Sequence, residues 1–371
     1  MKNKSNFFYA NLIYSIIIFG FCAIRVLSSL NLLSFLGDYE SIVLSVILQI
    51  GLMLILPIFL YGGLTKKKPK EVLNYYGVKK LSIGAIGISI LIGATVYVLN
   101  IGVSSFFYTI LQSLGYEKLS SSTQTESYPV YMLFVNLAMT AVLPAVCEEI
   151  THRGLLLKNY SSLGYKKAII LSGILFGLTH LNIEQFFYAS IIGFVLGIIT
   201  VLCGNIIPAM IIHFMNNAIN VLVAYFVSTS TTFNAWYESI FAKLQNGNVF
   251  ASIATLFVIL LLLLGLMVFL IFKLFEQTAV KNLKQITEDL SRKRLRDELM
   301  GELVPEEPSP DKVPMLVQHQ NRFFNIYIPT DCIGYPLKQM YRPSLKEKSI
   351  FYGMLTTNVL ITIFTFVWGV L

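Results

Sequence analysis

Carboxylate, imidazole and carboxamide side chains are costly inside apolar helices. A charge at the centre of a bilayer costs roughly 2.5–3.5 kcal/mol even on insertion scales. Three groups of such residues fall in or beside long apolar blocks of this chain. The first is Cys147-Glu148-Glu149-Ile150-Thr151-His152-Arg153-Gly154, which the hydropathy places at the end of a hydrophobic stretch. Arg153 follows Glu149 by four residues, so the two share a helix face and can pair. Glu148 then points about a third of the way round the helix, where it could act as a general base or join an interfacial ion pair. The second group is Phe176-Gly177-Leu178-Thr179-His180, and the third is His213-Phe214-Met215-Asn216-Asn217. His213 and Asn217 lie four apart on one face and need a polar partner or a water-filled cavity. Each group alone has a bland reading, as a satisfied core histidine or as asparagine bonding helix to helix.

Together the groups supply a set suited to water-mediated hydrolysis. A carboxylate with a histidine can activate water, and histidine and asparagine donors can hold an oxyanion, which makes Glu148, His180, His213 and Asn217 the candidates. Glu149 is counted with these candidates, and Arg153 is read as shaping the site. Glu148, His180 and His213 could instead bind a divalent metal such as Zn2+, since His and Glu suit that ion. The chemistry is equally open to no cofactor at all. No HExxH is present, and His152, four residues after Glu148, is not read as a ligand.

The elements that must position these side chains are membrane helices. The hydrophobic fraction is 55% and the charged fraction 13%, about half the charge of an ordinary soluble domain. Apolar blocks lie at about 7–30, 41–63, 83–113, 129–149, 167–181, 185–203, 206–227, 250–272 and 349–371. They predict an all-α, polytopic helical membrane protein with about nine transmembrane helices. The block at 83–113 exceeds one crossing and should tilt or break near Asn100, while 167–181 is short enough to insert only in part. The basic start of the chain precedes no small-x-small cleavage site, so 7–30 is kept as a first span.

Basic residues gather between alternate blocks: Lys2 and Lys4, then Lys66, Lys67, Lys68, Lys70, Lys79 and Lys80, then Arg153, Lys158, Lys166 and Lys167, then many in 273–348. With nine spans these fall on one side, which predicts a multi-pass cell-membrane protein with a cytoplasmic N-terminus and an external C-terminus. The same pattern explains the net charge of +8 without nucleic acid, for which no finger spacing or aromatic signature exists. Cys22, Cys147, Cys203 and Cys332 form no CxxC and predict no disulfide framework.

The chain divides into N-terminal helices (1–128), a polar-centred core (129–227), an eighth span with its preceding loop (228–275), a charged and partly flexible cytoplasmic segment (276–348) and a last span (349–371). Within the charged segment, Val280, Leu283, Ile286, Leu290 and Leu299 recur at near-helical spacing over 276–300. That helix could lie on anionic headgroups through Lys284, Lys293 and Arg296, or be plainly solvated. Four prolines in 302–314 mark a linker.

Glu148-Glu149-x-x-x-Arg153, Phe176-x-x-x-His180 and His213-x-x-x-Asn217, in that order and each at a membrane block, resemble the three-motif signature of the CPBP intramembrane proteases. This family is also called the CAAX-prenyl-protease-2-like or ABI family. The resemblance covers roughly 130–227. It implies a helical membrane fold with a polar cavity opening toward the cytoplasm, and peptide-bond hydrolysis in or near the bilayer. It also implies that Glu148 and His180 activate water, that His213 and Asn217 form the oxyanion site, and that Glu149 and Arg153 shape it. Family members are described both as metalloproteases and as metal-free glutamate enzymes. The expected partners are a peptide or protein substrate, which could itself be membrane-anchored, and membrane lipid. A prenylated substrate is not assumed, since the chain ends Trp368-Gly369-Val370-Leu371. The competing readings are a non-catalytic scaffold or bacteriocin-immunity protein on the same fold, and a small-molecule transporter, against which the lack of an inverted repeat weighs.

Overall fold

A computed structural model describes residues 4–117, 129–245, 249–280, 316–321, 324–329 and 343–370. The charged helix and the linker expected at 276–314 fall almost wholly outside these residues.

The described chain is a helical bundle built from α1 (Lys4–Ser29), α2 (Ser34–Thr65), α3 (Pro69–Tyr76), α4 (Ile83–Ser113), α5 (Val130–Leu163) and α6 (Tyr165–Thr179), followed by α7 (Ile183–Cys203), α8 (Ile207–Thr229), α9 (Thr231–Gln245), α10 (Val249–Phe275) and α11 (Leu345–Val370). A small antiparallel hairpin pairs β1 (Leu316–Asn321) with β2 (Phe324–Pro329), matching Leu316 to Pro329. Local chemistry sets the helix ends. Pro69 opens α3 at a position where its missing N–H costs nothing, the Glu71 carboxylate accepts the Lys68 N–H at 2.7 Å, and Gly77 ends the helix in the left-handed region at φ +92°. Asn182 and Asn205 cap α7 and α8 by accepting the Glu184 and Ile207 N–H groups at 2.9 and 3.0 Å. Near the start of α2 the chain kinks at Gly37, whose φ of +54° with ψ of −137° is open to glycine and strained for other residues.

The chain is a multi-pass membrane protein, with eight helices among the described residues long and apolar enough to cross a bilayer. The ninth expected span corresponds to α6, which has 15 residues. At 1.5 Å per residue it is about 22 Å long, short of a hydrocarbon core of about 30 Å. It still runs antiparallel to α7 as a full member of the bundle. Three other expectations change. The block at 83–113 does not break at Asn100; α4 runs through it as one helix. The stretch 150–163, expected to leave the membrane after the acidic pair, continues α5 with Arg153 only 1% exposed. A hydropathy dip there reflects buried ion pairing rather than a helix end. The expected loop at 228–249 is largely the helix α9.

The ends of the bundle are distinguishable. At one end, Tyr160 near the end of α5 donates to Asn11 of α1 at 2.6 Å, Phe7 meets Phe351 of α11 at 6.1 Å, and Asn205 donates to the carbonyl of Lys79 at 3.1 Å. Lys67 and Lys158 both sit over the ring of Tyr75 there. At the opposite end, Tyr116 after α4 stacks on Phe366 of α11 and donates to Glu184 of α7 at 2.8 Å. The start of α1 and the end of α11 therefore lie at opposite ends.

Close packing of α6 on α7 depends on small residues. A Cβ built on Gly177 would lie 2.1 Å from Ser190 Oγ, and one on Gly193 would lie 2.9 Å from the Gly173 Cα. This approach lets the backbone of α7 reach the polar residues of α5. One apolar cluster gathers α1, α2, α3, α5, α6 and the start of α11, and a second gathers α4, α7, α8 and α10. The polar residues lie along the seam between them.

Candidate active site

Arg153 and Glu149, one helical turn apart on α5, form an ion pair at 2.8 Å with both side chains fully buried. Isolated burial of either charge would be prohibitive, so the pairing is what permits both at this depth. Arg153 also donates to the Gly193 carbonyl at 3.1 Å and lies 4.5 Å from the centre of the Phe176 ring. Glu149 Oε1 meets His213 Nδ1 of α8 at 3.0 Å. One carboxylate thus ties α5 to α8 and fixes the imidazole. Its second oxygen has no partner among the described residues.

With Nδ1 facing a carboxylate, His213 turns Nε2 toward a cavity of about 600 Å³. Glu148, Phe176, His180, Asn216 and Asn217 line the same cavity. Glu148 is 8% exposed and Glu149 fully buried, so the adjacent acids have different surroundings. The His180 ring makes no hydrogen bond among the described residues and packs edge-on against Phe176. Asn217 gives one amide hydrogen to the Thr140 carbonyl of α5 at 3.0 Å, and its oxygen accepts from Asn216. Its second amide hydrogen has no such partner. The structure thus gathers Glu148, His180, His213 and Asn217 around one space, while Glu149 and Arg153 stand behind it.

His152 faces away from this space. Its Nδ1 meets the Glu148 carbonyl at 2.8 Å and its Nε2 the Thr179 hydroxyl at 3.0 Å, which occupies both ring nitrogens. Thr179 bonds in turn to Tyr14 of α1. No group of three or more His, Cys, Asp or Glu converges as a metal site among the described residues. Glu148, His180 and His213 share the cavity without closing on a common point, so no step below is routed through a metal.

Sequence reasoning missed Gln49. It projects from α2 and donates to Glu148 Oε1 at 2.9 Å. The available signal was a lone carboxamide within Ile47-Leu48-Gln49-Ile50, an intramembrane polar residue of the kind that marks function. Asn216, whose buried oxygen lacks a partner, was passed over beside Asn217.

Residues 129–219 match the family described as Rce1-like, type II CAAX prenyl endopeptidase. This segment is similar to the CAAX-type prenyl endopeptidases that the family describes. The match spans α5 to the middle of α8, roughly a quarter of the 371 residues, and contains every residue of the three motifs. No curated protein and no solved structure matches the chain. The Rce1-like segment thus coincides with the helices that build the cavity, while Gln49 and the other helices lie outside it.

Proposed function

We propose that this protein is an intramembrane endopeptidase in which Glu148 activates water against a peptide carbonyl. The observation that carries the proposal is the convergence of Glu148, His180, His213 and Asn217 on one cavity, with a buried carboxylate holding His213 from behind. In this reading Glu148 accepts a proton from water, with His180 aligning that water, and hydroxide adds to the scissile carbonyl. The oxyanion that forms takes hydrogen bonds from His213 Nε2–H and the free amide hydrogen of Asn217. For both ring nitrogens to donate, His213 acts as the imidazolium, with the Glu149 carboxylate 3.0 Å from Nδ1. Glu148 then returns the proton to the leaving amine as the C–N bond breaks. Gln49 keeps one Glu148 oxygen engaged and so orients the other.

This reading uses glutamate-activated water because the donor set does not converge on a metal. The positive-inside rule puts the N-terminus in the cytoplasm and the end of α11 outside. The test is cleavage of a library of membrane-proximal peptides by the purified protein in liposomes. Wild type should cleave a subset, and His213→Ala should lower kcat by about a hundredfold or more, the loss typical of a removed oxyanion donor. A His213→Ala variant that turns over at the wild-type rate would remove the oxyanion assignment.

A further inference from the structure

The cavity is open at one end of the bundle, and the sequence says which side of the membrane that end faces. Lining residues on α5 run from Leu133 to Glu148, all before the Glu149–Arg153 pair. Those on α8 run from His213 to Tyr225, those on α7 start at Gln185, and those on α6 are Phe176 and His180 near its end. Every one lies on the same side of the buried pair. Beyond the pair, toward the other end, α5 stays buried through Leu155, Leu156 and Leu157. The mouth therefore sits where α5 begins, α7 begins and α8 ends.

That is the end poor in cations. Lys66, Lys67, Lys68, Lys79, Lys158 and Lys166 cap the opposite end. At this end of the bundle the described charged groups are mostly acidic: Asp38, Glu40, Glu117, Glu238 and Glu184, which is held by Tyr116, beside Arg25, which donates to the carbonyls of His180 and Leu181. A bias this strong over short loops fixes orientation with the basic end in the cytoplasm. The family resemblance implies a cytoplasmic opening, whereas the charge bias and the cavity geometry together imply the reverse.

We infer that the site is entered from the extracytoplasmic face, and that its substrate is an extended segment of an exported or membrane-anchored polypeptide on that face. This rests on the peptidase reading for the chemistry, but the sidedness does not. The polypeptide class follows from the entrance. A second cavity of about 650 Å³ shares Gln185, Tyr188, Asn216, Asn217 and Asn220 with the first and adds Asn100 and Ser104 of α4. A path lined by neutral donors and acceptors (Asn100, Ser104, Gln185, Asn216, Asn217 and Asn220) beside the carboxylates Glu148 and Glu184 fits the unpaired amides and carbonyls of an extended backbone. It offers no cluster of cations to hold a phosphate or a strongly acidic ligand.

The test is thiol labelling of single-cysteine variants, with the four native cysteines replaced by alanine, in intact cells with a membrane-impermeant maleimide. Ala224→Cys places the thiol at an exposed position of the cavity wall, Thr229→Cys marks the end of α8, and Lys80→Cys marks the basic end. Ala224→Cys and Thr229→Cys should label in intact cells, and Lys80→Cys only after permeabilisation. The reverse pattern, or all three labelling from one side, overturns the inference. Labelling of Thr229→Cys without Ala224→Cys also overturns it, since the cavity would then be closed to water from that face. Because labelling requires no turnover, a correct pattern alongside a purified protein that cleaves no peptide would reject the peptidase chemistry while leaving the sidedness in place.

Discussion

Removing the charge of Glu149 should unfold this protein more readily than removing the whole ion pair. Both partners are fully buried and 2.8 Å apart. In Glu149→Gln the amide oxygen can still accept from Arg153 and from His213, so hydrogen bonding survives and the compensating charge does not. An uncompensated buried charge costs about 3–5 kcal/mol, or roughly two to four powers of ten in the folded-to-unfolded ratio. Arg153 has little to fall back on: the Gly193 carbonyl, the face of Phe176, and an Nε that already lacks a partner. Arg153→Met should cost a similar amount by leaving Glu149 buried with only His213. The double variant removes both charges of the pair and keeps the packed volume. Its main loss is the Gly193 hydrogen bond, about 1 kcal/mol. The four-corner cycle, read by denaturant unfolding in mild detergent, should therefore show the double variant more stable than either single one. Additivity of the two losses within about 0.5 kcal/mol would refute the reasoning, because independent sites behave that way.

Two further outcomes follow from single contacts. Gln49→Leu removes the 2.9 Å donor to Glu148; hydrogen bonds to charged groups are worth about 1.5–3 kcal/mol, so kcat/KM should fall roughly ten- to a hundredfold with the unfolding midpoint held, and an unchanged rate would strip Gln49 of its role. Gly177→Val should lower stability by about 1–3 kcal/mol or more by overpacking, because even a Cβ there meets Ser190 Oγ at 2.1 Å and the Phe186 carbonyl at 2.5 Å. Gly102→Ala, in a helix with open space around it, should be neutral or stabilising, and equal losses at both glycines in thermal unfolding would contradict the packing account.

The helices and their order were legible because apolar length is a strong signal, and the three polar groups were legible because such residues are rare in it. What escaped had a specific physical cause. Hydropathy reads Glu148–Arg153 as a helix end, since it scores residues singly and cannot see that Arg153 is neutralised by Glu149 and bonded to Gly193 from another helix. The role of Glu149 was blurred for the same reason: spacing pairs it with Arg153, but only the approach of α8 adds His213. Gln49 lies about a hundred residues before Glu148, and nothing local to either one announces the contact. The direction of the cavity needed both sources, the loop charges from the sequence and the lining residues from the fold.

The central claim is that Glu148 activates water for peptide hydrolysis. The most direct measurement is digestion of the peptide library in water enriched in oxygen-18, comparing wild type with Glu148→Gln at matched thermal stability, with products read by mass spectrometry. Wild type should place one heavy oxygen in each new C-terminal carboxylate, and Glu148→Gln should be slower by about a hundred- to ten-thousandfold, the range for a lost general base. Cleavage by Glu148→Gln at the wild-type rate would contradict the account.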